Sequence, residues 1–362
     1  MEIQDSIVQD CIQLLKDLIA TPSYSKQEED TATLLSRFFI KKEIEFERKY
    51  NNIMAYANGF DPDKPTIWLN SHHDTVRPNA GYTKDPFSPI IEDGKLFGLG
   101  SNDAGGPLVS IIACFLHFVG KEMPFNILLI ASAEEEISGK NGIESLVPIL
   151  PEAELAIVGE PTLMKMAIAE KGLMVIDATV KGKSGHAARE EGINAIYLAV
   201  NDLQKIRDFR FKRTSKFLGK SKVSATIIHS GTQHNVVPDT CEYTLDVRVT
   251  DAYTLEEALE ELKENLNAEL KPRSLRLQSS KVPQKHPILT VGIKLGMDTY
   301  GSPTLSDQAL IPYPSIKIGP GDSARSHTAD EFIYIQEIEK GILDYILILE
   351  KYAELKTSNL SN

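Results

Sequence analysis

The sequence predicts an α/β protein: a mainly parallel sheet covered by helices, interrupted by an inserted β-α-β-β-α-β domain. Three observations carry this prediction. Short, continuously apolar runs alternate with helical patterns over residues 1–170 and again over 282–362. Residues 171–281 switch to runs in which apolar and polar positions alternate, as a sheet with one solvated face requires. The length of 362 residues suits two domains at about 150 residues each.

The elements follow in order. Ile7, Val8, Cys11, Ile12, Leu15, Leu18 and Ile19 share one face of a helix over 6–20, with Asp5 as its N-cap. A second helix opens at Ser25, where Glu28 three residues on completes a capping box. Thr66–Asn70, Asn126–Ala131, Leu155–Val158 and Ser315–Ile318 are short buried strands, each followed by polar or glycine-containing residues. A helix over Leu108–Val119 is entered through Gly105-Gly106-Pro107, and Pro107 suits a first turn because its missing N–H would be unpaired there. Continuous apolar strands separated by helices build a parallel sheet covered on both faces, and such sheets collect ligand chemistry at the strand C-terminal ends.

In the inserted block, Met174, Ile176, Ala178 and Val180 alternate along a strand, and a helix over Ile193–Ile206 follows. Strands at Val223–Ile228 and Tyr243–Val249, a Glu-rich helix over Leu255–Leu270 and a last strand at Leu275–Leu277 complete it. That order is the split βαβ, or ferredoxin-like, unit. The boundaries are 1–170 and 282–362 for the first domain and 171–281 for the insert. A C-terminal helix over Gln336–Leu355 returns to the first domain, and a polar tail follows Lys356.

Composition narrows the function. With 42% hydrophobic and 25% charged residues, the chain is neither disordered, collagen-like nor a disulfide scaffold. Its 39 Lys plus Arg against 51 Asp plus Glu give a formal charge of −12, which repels nucleic-acid backbones and anionic lipid. No nucleic-acid or membrane partner is therefore expected. The three cysteines are too scattered for a disulfide framework or a thiolate metal site. The N-terminal stretch has no basic and apolar leader pattern, and no run reaches the ~18–20 apolar residues of a membrane span, so a cytoplasmic protein is expected.

Five places in the α/β portion carry metal-type ligands just after an apolar strand or in a glycine-rich loop. They are His72-His73-Asp74; Asp103 within Gly98–Gly106; Glu134-Glu135-Glu136; Glu160 after Val158-Gly159; and His327 after Gly319-Pro320-Gly321. Two histidines with three or more carboxylates and no thiolate suit a pair of divalent cations. The Gly98–Gly106 loop has Asp103 where a dinucleotide fingerprint needs its last glycine, and no G-K-[ST] completes a P-loop, so a nucleotide site is not expected. Its glycines instead let the backbone turn tightly enough to aim Asp103.

In order along the chain, these motifs resemble the M20 family of co-catalytic zinc amidohydrolases and exopeptidases. The motifs are His72-x-Asp74, the G-x-G-x-x-D loop, the Glu pair before Ile137, Val158-Gly159-Glu160-Pro161 and the late G-P-G…His327 segment. The late segment, Gly319 to His327, is most similar to the branch that deacylates N-acetylornithine and N-acetyl-lysine substrates. The resemblance implies a zinc-exopeptidase-like catalytic domain and an inserted lid or dimerisation domain. It implies two Zn²⁺, with Co²⁺ or Mn²⁺ as substitutes. His72 and Glu160 would hold one cation, Glu136 and His327 the other, and Asp103 would bridge them. Asp74 would bond the far nitrogen of His72. Glu135 would be the general base; a register shifted to Glu134 and Glu135 is the alternative. His73 reads as a plain loop histidine.

In the insert, Gly182 to Ala188 is similar to the family's segment whose histidine, here His186, supports the oxyanion from a neighbouring subunit. The stretch Ala187-Ala188-Arg189-Glu190 departs from the proline many relatives carry after that histidine. Asn235 and Arg248 match positions that grip the substrate carboxylate. Asp322 is the candidate partner for a substrate ammonium, and Lys183, Arg189 or Arg325 for a succinyl tail. The function expected is hydrolysis of the N-acyl amide of an amino acid, N-acetyl- or N-succinyl-ornithine first, in arginine biosynthesis, by a homodimer joined through the lid. The alternatives are a metallo-dipeptidase or aminopeptidase of the same architecture, and a catalytically silent binding protein.

Overall fold

A computed structural model describes residues 4–360. The chain divides into two compact units: Met1–Ile168 with Lys281–Tyr300 and Ser306–Asn362, and Ala169–Ser280 with Gly301–Leu305. The first unit opens with α1 (Asp5–Ile19), α2 (Glu29–Lys41), β1 (Glu47–Lys49), β2 (Asn52–Tyr56) and β3 (Thr66–His72). It continues through α3 (Gly106–Phe118), β4 (Asn126–Ser132) and β5 (Ala153–Val158). The second unit holds β6 (Gly172–Lys181), α4 (Ala195–Asp208), β7 (Lys222–Ser230), β8 (Thr240–Val249), α5 (Leu255–Lys263) and β9 (Glu269–Pro272). The chain then returns with β10 (Ser315–Lys317) and α6 (Ile335–Leu360).

The first unit's sheet includes the run β1-β2-β4-β3-β5-β10, and continues beyond β10 through further strands. Its centre, β4-β3-β5-β10, is parallel throughout, and β1 and β2 close one side antiparallel. Every residue of β3 and β4 is buried, as expected for strands covered on both faces. On one face Trp68, Leu128, Ile130, Ala156 and Val158 pack with Ile143, Leu146 and Ile311. The other face meets α3, buried along nearly its whole length and packed against α1 and α6. Parallel pairing brings the C-terminal ends of β3, β4 and β5 to one edge, and the ligand-bearing loops leave from there.

The second unit is a four-stranded antiparallel sheet in the order β7-β8-β6-β9, with connectivity β6-α4-β7-β8-α5-β9, the ferredoxin-like arrangement. Alternation along β6 buries Met174, Ile176, Ala178 and Val180 against Ala195, Ala199, Leu255, Leu259 and Leu262 of the two helices.

Several expectations need correction. Gln4, not Asp5, is the α1 cap, and Asp5 lies in the first turn, where its charge favours the helix N-terminus. Ser25 caps no helix. Glu28 precedes α2, and its carboxylate accepts from the backbone of Lys26 and the amide of Asn51 instead of closing a capping box. α5 ends at Lys263 and the last strand lies at Glu269–Pro272, not Leu275–Leu277. The cause is Asp202: buried on α4, its carboxylate takes the backbone N–H groups of Asn267 and Ala268 at 2.9–3.1 Å and draws the chain out of the helix. The polar stretch after Lys356 continues α6 as far as Leu360.

Candidate metal centre

His72 ends β3, opposite Ser132 of β4. Its Nδ1 donates to the Asp74 carbonyl at 3.0 Å, with the Asp74 carboxylate 3.4 Å away, so the main chain rather than the expected side chain makes the closer contact. That bond fixes the tautomer and turns Nε2 inward, where it is buried and lacks any hydrogen-bond partner. The Asp74 carboxylate instead accepts from Ser25 Oγ at 2.7 Å and from the backbone of Glu135 and Glu136 at 3.0 and 3.2 Å. Asp74 thus ties the His72 turn to the turn that carries the two glutamates.

The glycine-rich loop swings Asp103 to the same place. Gly100 has φ +74°, and a Cβ there would lie 2.5 Å from Thr75. A cis peptide links Asp103 to Ala104. The loop is clamped by Glu331, whose buried carboxylate accepts from Gly100, Asn102 and Asp103 N–H groups at 3.1, 2.8 and 2.9 Å. Glu134 takes φ +56° and folds its side chain away, accepting from the backbone and side-chain amides of Asn141. Only the Glu135–Glu136 register therefore faces the cluster. His73 is buried rather than looped out. Its ring bonds Thr31 and the Asn51 carbonyl at 3.0 and 2.8 Å, and burial pulls its pKa down to about 4.

Two groups of ligand atoms result: His72, Asp103 and Glu160, and Asp103, Glu136 and His327. Asp103 serves both. Its Oδ1 lies 3.4 Å from His72 Nε2, and its Oδ2 3.6 Å from His327 Nε2. Glu160 stands 3.8 Å from His72, and Glu136 3.1 Å from His327. Donors bound at ~2.1 Å to one tetrahedral cation sit about 3.4 Å apart, so this spacing suits a shared ion. Glu135 completes the cluster, 3.8 Å from His72 Nε2.

The electrostatics agree. Burial pushes Glu135 well above the usual carboxylate range, and the charges of Glu160, Asp307 and Glu136 add to it against the pull of His72. Burial also raises Glu136. Desolvation would lower His72, but Glu135, Asp103 and Asp74 outweigh it and hold the ring well above its ordinary value. The hydrogen bond to Glu136 lifts His327 to about 9. Four carboxylates around two imidazoles, one with an orphaned buried nitrogen, form a site short of positive charge. An all-nitrogen-and-oxygen donor set fits divalent cations of the zinc, cobalt or manganese kind.

Residues 168–274 match the M20 dimer family, the peptidase dimerisation domain. A tripeptidase from Staphylococcus aureus is similar over 96% of this chain and 99% of its own, with TM-score 0.77 and 19% identity. Aminopeptidase PepT from Bacillus cereus matches over 96% and 99%, with TM-score 0.75 and 19% identity. The YXEP protein of Bacillus subtilis, a dinuclear metal binding peptidase from the M20 family, matches over 96% and 98%, with TM-score 0.74 and 17% identity. The chain has the M20 peptidase fold.

Within the dimerisation domain of this fold, Gly185 and His186 pair with Val236 and Val237, and Ala187 donates to the Asn235 carbonyl at 3.0 Å. His186 and Asn235 are therefore neighbours. His186 is exposed and its Nδ1 accepts from Ala188 N–H at 3.1 Å, which leaves Nε2–H as a free donor on the neutral ring. Arg248 is elsewhere. It lies eight residues beyond Thr240 along β8, about 27 Å at ~3.4 Å per residue, and Thr240 is at the end nearest Lys181 and His186. Arg248 and the His186–Asn235 pair therefore lie toward opposite ends of β8. Arg248 is held bidentately by Asp246 at 2.9 and 3.0 Å, beside Lys222 on the neighbouring strand.

In the first unit, Asp322 makes a local contact. Its Oδ1 accepts from Ala324 N–H and caps the short turn Ser323–Arg325. Arg325 is committed to Glu337 at 2.6–2.7 Å and is not free for a succinyl tail. Sequence reasoning missed Glu331 and Asp307. Glu331 had a visible signal, lying four residues after His327; Asp307 had none, because its partners Asn70 and Ser132 are 237 and 175 residues away. No described helix is long and apolar enough to cross a membrane.

Proposed function

We propose that this chain is an M20 metallohydrolase that cleaves the N-acyl amide of an amino acid, N-acetyl- or N-succinyl-ornithine first. One observation carries the reading: a single carboxylate, Asp103, turns one oxygen to His72 and the other to His327, with Glu135 alongside. His72 and Glu160 would hold one divalent cation, Glu136 and His327 the other, and Asp103 both. When bound, the two cations supply Lewis acidity that polarises a carbonyl and acidifies water.

The remaining work belongs to the chain. Glu135, kept basic by burial, takes a proton from the attacking water on its carboxylate and delivers it to the departing amine nitrogen. Asp74 holds His72, Glu135 and Glu136 in mutual register. His186 donates from Nε2 to the oxyanion, a contact worth about 2.7–4 kcal/mol in other enzymes. Arg248 keeps Nε and Nη2 on Asp246 and offers its outer Nη1–Nη2 edge to the substrate carboxylate, beside Lys222 on the neighbouring strand.

The separation of Arg248 from Asn235 and His186 favours a homodimer in which one copy supplies Arg248 and the other the histidine and asparagine. The edge strand β7 supports that assembly. It exposes Ile227 and Ile228 by 47% and 50%, and α4, which packs against this strand, exposes Tyr197 by 71%; a second copy would cover this unpaired edge.

A metallo-dipeptidase or aminopeptidase is the second reading, because the similar structures include a tripeptidase and an aminopeptidase. Steady-state rates with Zn²⁺, Co²⁺ or Mn²⁺ on N-acetyl- and N-succinyl-ornithine, N-acetyl-lysine, dipeptides and tripeptides separate the two. Faster turnover of an N-acyl amino acid supports the first reading. Peptides cleaved much faster than any N-acyl amino acid would replace it with the second.

A further inference from the structure

We propose that Asp307 is a positioning residue that sets the distance between the His72 ligand and the glutamate turn; this rests on the two-cation reading above. Asp307 is buried at the start of the short turn Asp307–Leu310. Its Oδ2 accepts from Asn70 Nδ2 at 2.8 Å and from Ser132 Oγ at 2.6 Å. Those donors belong to different strands. Asn70 lies two residues before His72 on β3, and Ser132 ends β4 directly opposite His72, two residues before Glu134.

Side chains alternate along a strand, and facing residues of a parallel pair point the same way. Asn70, His72 and Ser132 therefore share one face of the sheet, the face of Trp68 and Ile130, and Asp307 occupies the space beside the His72 ring. The Asn70 amide has no other anchor: its Oδ1 is buried without a hydrogen-bond partner, so Asp307 alone fixes its orientation. Asp307 is itself fixed from behind, because the next residue, Gln308, donates through Nε2 to Ser315 Oγ at 2.9 Å, at the start of β10.

One oxygen thus clamps the last turns of two strands. His72 and Glu160 belong to one cation and Glu136 to the other, so the β3–β4 spacing controls how both groups close on Asp103. Direct contact of Asp307 with a cation is not part of the role. A residue that acts on geometry alone changes ligand-field properties, whereas one that only stabilises the fold changes the melting temperature and leaves them unaltered.

Cobalt titration of the full chain, read by visible absorption and by equilibrium binding, tests this. Wild type is expected to take up two equivalents. D307A leaves the Asn70 donor unpaired and Ser132 Oγ with only the Ser71 carbonyl at 3.3 Å, and is expected to weaken binding about 10- to 100-fold and to shift the d–d bands. D307N keeps an oxygen that can accept both bonds, and is expected to move the bands back toward wild type. A folded D307A with wild-type affinity and bands overturns the proposal, as does a lowered melting temperature with unchanged bands. If D307A does not fold, S132A carries the test: a smaller band shift in the same direction supports the role, and unchanged bands overturn it. Failure of the wild-type chain to bind two cobalt ions sinks the two-cation reading first, and this proposal with it.

Discussion

Replacing Glu331 by glutamine perturbs the loop that carries Asp103 without touching the ligand itself. The Glu331 carboxylate accepts from Asn102 and Asp103 through one oxygen at 2.8 and 2.9 Å, and from Gly100 through the other at 3.1 Å. A glutamine oxygen can keep the first pair, but its NH₂ group then faces the Gly100 N–H, donor against donor. One buried unsatisfied N–H costs about 1–3 kcal/mol. At ~2–4 °C per kcal/mol for a unit of this size, the melting temperature of the metal-free protein falls by roughly 2–12 °C. The pH dependence sharpens the test. Burial, with the Asp103 charge beside it, raises Glu331 from its usual 4.5 to about 8. A carboxyl raised on folding binds its proton more tightly in the native state, so its contribution is full below 4.5 and is lost as pH climbs to about 8. Glutamine has no such loss. The deficit of E331Q against wild type in chelator-treated protein should be largest near pH 5 and narrow by pH 8, as measured by calorimetry. Equal melting temperatures at pH 5, or a deficit that widens with pH, would rule out this role for Glu331.

Glu135→Gln should lower kcat by about 10²- to 10⁴-fold while two metal equivalents are retained, as read by atomic absorption after gel filtration. Mixed E135Q and H186A proteins should regain activity that neither has alone if His186 serves the other subunit's site; unmixed and mixed samples of equal rate would contradict this. Because His327 is held at about 9 by Glu136, metal must displace its proton at neutral pH. Apparent metal affinity should therefore fall about tenfold per pH unit below 9 from this residue alone, and a pH-independent dissociation constant between 6 and 9 would contradict it.

Much of this was legible in the sequence because it is local. Continuous apolar runs gave the buried strands, and period-2 burial along Met174, Ile176, Ala178 and Val180 gave the inserted sheet. The ligand positions could be read because each follows its own strand or loop within a few residues. What could not be read depends on partners distant in sequence. Ser25 looks like a helix cap until Asp74, 49 residues on, takes its hydroxyl. The end of α5 is set by Asp202, about 60 residues earlier and invisible to helical periodicity. Asp322 and Arg325 read as free charges until Ala324 and Glu337 are seen to occupy them. That Arg248 lies toward the end of β8 far from Lys181 follows only from the strand register.

Crystals of the full chain equilibrated with zinc, with anomalous diffraction recorded on both sides of the zinc absorption edge, test the central assignment most directly. Two peaks flanking the Asp103 carboxylate are predicted, one against His72 and Glu160 and one against Glu136 and His327. A single peak that ignores Asp103, or none within reach of these five side chains, would contradict it.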